Sequence, residues 1–408
     1  MLTTKQLADY AELCIKIGVN LQKGQTLVIN APIETAPFAR LIADAAYKHG
    51  AKSVKIDYRD EKFSRLRYDN ETIETLQHIS KWQVDRRDEM VDERMCVISI
   101  AAEDPSIFAG VDPEKLKLAN IAARKAFKRY QDASMSNLIR WLVVSVPTES
   151  WAKKIFPKKA NAVDKLWDAI AHTMRLNEKD PLKAWEQHIA TLNRRAKILN
   201  DNDFEYIQLT SSNGTDLKVG LAEGHTWFAA QEMAQDGLPF TANLPTEEIF
   251  TAPHKYKVNG VVKNALPLVD NGNIIDEFSI TFKDGYVVDY SAKKGYDALK
   301  NIIEMDEGSH RIGEIALLGK NSPIRKTGLL FYNTLFDENA SCHLALGKAY
   351  PTTVKNGTKM TAEELDKVGC NESLEHCDFM IGADDLDVVG IHKDGSKVQL
   401  FVNGEWVV

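Results

Sequence analysis

From about residue 203 onward the chain is punctuated by Asn-Gly and Asp-Gly pairs: Asn213-Gly214, Asn259-Gly260, Asn271-Gly272, Asp284-Gly285, Asp394-Gly395 and Asn403-Gly404. Such pairs tolerate the positive φ angles that tight hairpins demand. Most are flanked by alternating apolar and polar residues, as in 278–282 (FSITF) and 398–402 (VQLFV). The pattern predicts a second half rich in antiparallel strands, with helices over 292–305 and 361–367.

The first half has a different grammar. Residues 26–30 (TLVIN), 53–58 (SVKIDY), 95–100 (MCVISI) and 140–146 (RWLVVSV) read as short buried strands. Helix-like stretches over 36–48, 113–130 and 164–176 separate them. Strands alternating with helices imply βαβ units and a mostly parallel sheet. A chain of 408 residues exceeds one ordinary core and suits two or three domains. The expected architecture is therefore α/β. A Rossmann-like N-terminal domain, 1–200, precedes an α+β catalytic domain, 201–408, with the boundary near 195–205, where a long helix from Pro181 ends.

Several function classes are disfavoured. No G-x-G-x-x-G follows a strand and no G-x-x-x-x-G-K-S/T occurs, so the first domain carries no dinucleotide or P-loop signature. The formal charge is -7, which suits neither a nucleic-acid nor an anionic-membrane partner. No run reaches ~18 uncharged apolar residues. Residues 1–22 form an amphipathic helix pattern without the basic and apolar regions of a signal peptide. Cys14, Cys96, Cys342, Cys370 and Cys377 are odd in number and scattered, as expected in a reducing, cytoplasmic setting.

Candidate chemistry lies in the second half. H-E-x-x-H and G-x-S-x-G are both absent. Glu247 and Glu248, in NLPTEEIFTAP, are bracketed by Pro245 and Pro253 and followed by Ile249 and Phe250; adjacent glutamates are otherwise ordinary surface charge. Glu314 enters the apolar run RIGEIALL; it either points outward or is buried, and a buried carboxylate needs a partner. Glu338, His343 and Tyr350 lie in FDENASCHLALGKAY. His343 could equally be a hydrogen-bonded core histidine, and Tyr350 a packing residue. In a strand, His376 and Asp378 would share a face and Cys377 would point the other way. Two histidines with three or four carboxylates suit a pair of metal ions sharing an anionic bridge. Spacing alone does not bring these residues together.

The segments NLPTEEIFTAPH, DEGSHRIGEIALLG, LFDENASCHLALGKAY and EHCDFMIG, in this order, resemble the thermophilic-type metalloaminopeptidases, the group containing aminopeptidase T, aminopeptidase S and PepS. The resemblance covers essentially the whole chain. It implies two domains, a homodimer, a peptide substrate and two divalent ions per chain, which zinc, cobalt, manganese or magnesium could supply. It also implies that Glu248, Glu314, Glu338, His343, His376 and Asp378 bind the metals and that Tyr350 is catalytic. The expected chemistry is metal-assisted hydrolysis of the N-terminal peptide bond. Tyr350 would donate to the developing oxyanion, and Glu247 would shuttle a proton or hold the substrate α-ammonium. Two rivals remain at this point: a metal-dependent amidase or dipeptidase, and a non-catalytic small-molecule-binding protein using the first domain.

Overall fold

The computed structural model describes residues 2–270 and 272–408; Met1 and Asn271 of the pair Asn271-Gly272 lie outside the described residues. The chain divides into two compact units. One comprises Met1–Glu186 with Gln231–Pro245, the other Gln187–Ala230 with Thr246–Val408. The division falls inside the helix Pro181–Asn202.

The first unit is built on four parallel strands, β1 (Thr26–Pro32), β2 (Ser53–Arg59), β3 (Cys96–Ile100) and β4 (Trp141–Val144), in the order β2-β1-β3-β4. β1 is buried at every position, as a central strand covered on both faces must be. Helix α1 (Thr4–Leu13) starts with a capping box between Thr3 and Gln6. Helix α2 (Ala36–Lys48) buries Phe38, Ala39, Ile42, Ala45 and Ala46, one stripe at helical spacing. The stretch expected as one helix over 113–130 is two, Pro113–Ala126 and Lys128–Met135.

The second unit carries α3 (Pro181–Asn202, from Gln187 onward), a nine-stranded sheet and a four-stranded sheet. The larger sheet grows from hairpins such as Tyr206–Thr210 with Asp216–Leu221 and Asn273–Lys283 with Tyr286–Lys294. At the second hairpin Asp284 and Gly285 both have positive φ, as a primed turn requires. Asn259-Gly260 behaves differently. It lies inside the strand Pro253–Lys263, where Gly260, at φ 122°, leaves space for the Asp216 carbonyl that a Cβ would strike. Asn259 instead accepts, at its side-chain oxygen, the backbone N–H of Asp284 at 2.9 Å. The helix expected over 292–305 begins only at Tyr296, because residues up to Lys294 still pair with Asn273–Lys283.

The four-stranded antiparallel sheet positions the site. Its strands are β5 (Ile249–Thr251), β6 (Ile312–Leu317), β7 (His343–Gly347) and β8 (His376–Met380), in the order β8-β7-β6-β5. β6 and β7 are buried throughout.

Candidate metal centre

Register explains how distant sequence segments converge. Glu314 on β6 and Asp378 on β8 both stand opposite Ala345 on β7, so the three share one face. In the next row, Phe250, Ala316, His343 and Met380 stand side by side. His376, opposite Gly347 and two residues from Asp378, belongs to the same face. Cys377 pairs with Leu346 and turns its thiol to the other face. Gly347 has φ 101° and is met by the Glu375 carbonyl where a Cβ would be, so glycine lets β7 and the entry to β8 close up.

The side chains meet across this floor. His343 Nε2 lies 3.1 Å from Glu248 Oε2 and 3.6 Å from Glu314 Oε1. His376 Nε2 lies 3.5 Å from Asp378 Oδ2 and 3.9 Å from Glu314 Oε2. The Glu314 carboxylate thus reaches one imidazole with each oxygen. Glu314, 6% exposed, points inward with a partner, so the outward alternative does not hold. One ligand atom each from Glu248, Glu314 and His343 lies within 4.8 Å of the others. Glu338 starts the short turn Glu338–Ala340 and feels the charges of Asp378, Glu248 and Glu314.

Both imidazoles are oriented from behind. His343 Nδ1 is 3.2 Å from the Ser341 carbonyl, and His376 Nδ1 is 2.7 Å from the Lys348 carbonyl. A carbonyl only accepts, so each Nδ1 carries a hydrogen, and Nε2 is the atom turned toward the carboxylates. This is the arrangement that fixes metal-binding histidines. Those two carbonyls belong to the backbone and leave no signature in side-chain spacing.

Electrostatics show what the cluster lacks. Burial pushes the Glu314 carboxyl up to about 7, and the charges of Asp378 and Glu248 add to the effect while His343 opposes it. Burial, then Asp378 and Glu248, holds the Glu338 carboxyl well above its ordinary range. Burial works against charge on both histidines, but the carboxylates outweigh it. His343 is raised well above its usual value by Glu248 and Glu314, and His376 to about 10, chiefly by Asp378. Burial also opposes charge on Asp378, yet His376 keeps it below the usual carboxylate value. Raised carboxyls at Glu314 and Glu338 and protonated rings at His343 and His376 are how the cluster offsets its buried negative charge. His343 Nε2, though 3.1 Å from Glu248 Oε2, makes no aligned hydrogen bond, and Asp378 Oδ1 is buried without a partner. Orphaned ligand atoms in a buried, carboxylate-rich nitrogen–oxygen cluster are the condition a divalent cation resolves. The residues present fit such an ion.

The two remaining candidates flank the cluster. The Tyr350 ring meets His376 edge-on at a centroid distance of 5.2 Å and Phe250 at 6.1 Å. Glu247 is nearly buried, and its backbone N–H donates to Asn339 Oδ1 at 2.8 Å. Its Oε2 lies 3.5 Å from His188 Nε2, on α3. Asn339 also donates through Nδ2 to Glu338 Oε1 at 3.3 Å, which ties the two acidic segments together. His188 and Asn339 escape a sequence reading. His188 is a single histidine in a helical pattern, and Asn339 acts through contacts 92 residues away in the chain.

Known proteins resemble this chain along nearly its whole length. The sequence profile of the family described as thermophilic metalloprotease (M29) matches residues 3–406. Aminopeptidase 2 of Geobacillus stearothermophilus is 44% identical over 404 residues, covering 98% of each chain. Aminopeptidase AmpS of Bacillus subtilis is 40% identical over 405 residues, covering 99% of this chain and 98% of its own. The solved structure of wild-type AmpT from Thermus thermophilus superposes with a TM-score of 0.93 at 37% identity, covering 99% of each chain.

Proposed function

This chain belongs to the thermophilic metalloprotease family (M29), and from that premise we propose that it hydrolyses the N-terminal peptide bond of peptides with the help of two divalent metal ions. It is a hydrolase, a metal-dependent aminopeptidase. The observation that carries the two-ion reading is the Glu314 carboxylate, with Oε1 3.6 Å from His343 Nε2 and Oε2 3.9 Å from His376 Nε2. A carboxylate with one oxygen toward each of two nitrogen ligands suits ions held ~3.5–4 Å apart. In this reading Glu248, Glu314 and His343 would hold one ion and His376 and Asp378 would help hold the other, with Glu338 completing the set. The donors are nitrogen and oxygen only, so zinc, cobalt, manganese and magnesium all remain compatible.

Bound there, the ions supply an activated water and Lewis-acid polarisation of the scissile carbonyl. The chain's own groups do the rest. The two backbone carbonyls behind His343 and His376 hold the rings in place. Tyr350 donates its phenolic hydrogen to the oxygen of the scissile carbonyl as negative charge develops. Glu247 accepts and passes a proton, or binds the substrate's free α-ammonium. An exopeptidase must reward that terminal charge, and a carboxylate does so directly.

The reading extends to context. The five cysteines are free, which supports a reducing, cytoplasmic location. No helix among the described residues is long and apolar enough to cross a membrane. The proposed assembly is a homodimer, and the proposed partner is peptide, not nucleic acid or membrane. Paired peptides with free and N-acetylated termini test the function. Release of the first residue from the free peptide alone is expected, and equal cleavage of both would exclude aminopeptidase action.

A further inference from the structure

The metal-facing side of the four-stranded sheet is not polar throughout. Phe250 stands in the same cross-strand row as His343, with only Ala316 between them. Ala316 is small and fully buried, so Phe250 is the first bulky side chain beside the cluster in that direction. Its ring is half-buried and continues into others. Phe228 lies at a centroid distance of 6.3 Å and is locked to Phe250 by backbone hydrogen bonds of 2.9 Å in both directions. On the other side Tyr350 meets Phe250 at 6.1 Å, and Tyr350 in turn meets His376 at 5.2 Å. Phe228, Phe250 and Tyr350 are each only partly buried. The result is one continuous aromatic wall that starts at a metal-facing histidine and leads away from it.

We propose that Phe250, backed by Phe228, is the specificity-determining surface for the side chain of the substrate's N-terminal residue and selects large apolar side chains. The inference rests on the function proposed above. Tyr350 is assigned there to the scissile carbonyl oxygen, and that carbonyl belongs to the N-terminal residue. The ring packed against Tyr350 therefore runs alongside that residue's own side chain. An aromatic face rewards leucine or phenylalanine by excluding water, and offers alanine little contact. It provides no hydrogen bond to satisfy a buried carboxylate, so an N-terminal aspartate or glutamate is discriminated against.

The test compares aminoacyl-amide substrates that vary only in the first residue, and a second series that varies only in the second residue. The wild-type enzyme is expected to favour leucine and phenylalanine over alanine at the first position. Phe250→Ala should lower the leucine-to-alanine ratio of kcat/KM by about 10-fold or more, since an intact apolar pocket discriminates by roughly 10–200-fold per methylene of the substrate. Ratios in the second series should hold, and bound metal should stay at the wild-type level. Phe250→Leu keeps apolar bulk without the flat face, and should retain leucine while losing preference for phenylalanine. It serves as the deciding variant if the alanine protein does not fold. Unchanged first-position ratios in the folded variants overturn the inference while leaving the enzyme's function intact, as does a change confined to the second position. A wild-type protein that hydrolyses none of the substrates removes the proposed function and the inference with it.

Discussion

Replacing Tyr350 by phenylalanine separates chemistry from packing at this site. The ring contacts of Tyr350 are with Phe250 at 6.1 Å and His376 at 5.2 Å, both edge-on. Aromatic pairs of this kind are worth ~0.5–1.5 kcal/mol each, and phenylalanine keeps them. The backbone role also survives, because the Tyr350 carbonyl accepts from the Thr353 N–H at 3.0 Å whatever the side chain. Melting temperature and metal content should therefore stay near wild type. What disappears is the hydroxyl donor. Loss of one oxyanion donor lowers kcat by ~10²–10³, or ~2.7–4 kcal/mol. KM should move much less, because that hydrogen bond strengthens only as charge develops. Steady-state kinetics on a free-amine peptide, with metal measured by mass spectrometry on the same sample, give all three readouts. Wild-type kcat would reduce Tyr350 to a packing residue. Loss of metal would instead move the phenol into the coordination of the ions and refute the role assigned to it.

Further outcomes follow from the same geometry. Asp378→Ala should lose bound metal together with activity, whereas Cys377→Ser, altered on the opposite face of β8, should lose neither; metal loss in the serine variant would contradict the assigned register. Glu247→Gln separates its two candidate roles: a raised KM with kcat retained marks the α-ammonium contact, a lowered kcat marks proton transfer, and wild-type kinetics would remove Glu247 from the mechanism. Metal uptake should release protons, because His343 is raised well above its usual value and His376 to about 10, and both must give up the Nε2 proton to bind. Apparent affinity should then rise with pH below those values. Calorimetry in buffers of differing ionisation enthalpy reads the release, and uptake without proton release would contradict the protonated state of the two rings.

Local patterns carried much of the architecture. The strands read at 26–30 and 53–58 lie within β1 and β2, and the helix over 36–48 matches α2, because continuous apolar runs and helical stripes are local signals. Alternation within a strand likewise puts His376 and Asp378 on one face and Cys377 on the other, which needs only two-residue periodicity. Pairing across the chain is another matter. That Glu314 and Asp378 both stand opposite Ala345 depends on register between strands far apart in sequence, and no local spacing encodes it. Asn259-Gly260 misleads for a related reason. The same positive-φ tolerance that makes a turn also admits a close carbonyl in the middle of a strand, and only the neighbouring strand decides which.

The central claim is a pair of divalent ions sharing the Glu314 carboxylate. Metal-stripped protein titrated with zinc or cobalt, followed by mass spectrometry for bound metal and by hydrolysis of a free-amine peptide, tests it directly. The account predicts saturation at two ions per chain, no activity without them, and loss of more than one ion in Glu314→Ala. Full activity in metal-free protein, or a Glu314→Ala variant that still holds both ions, would contradict it.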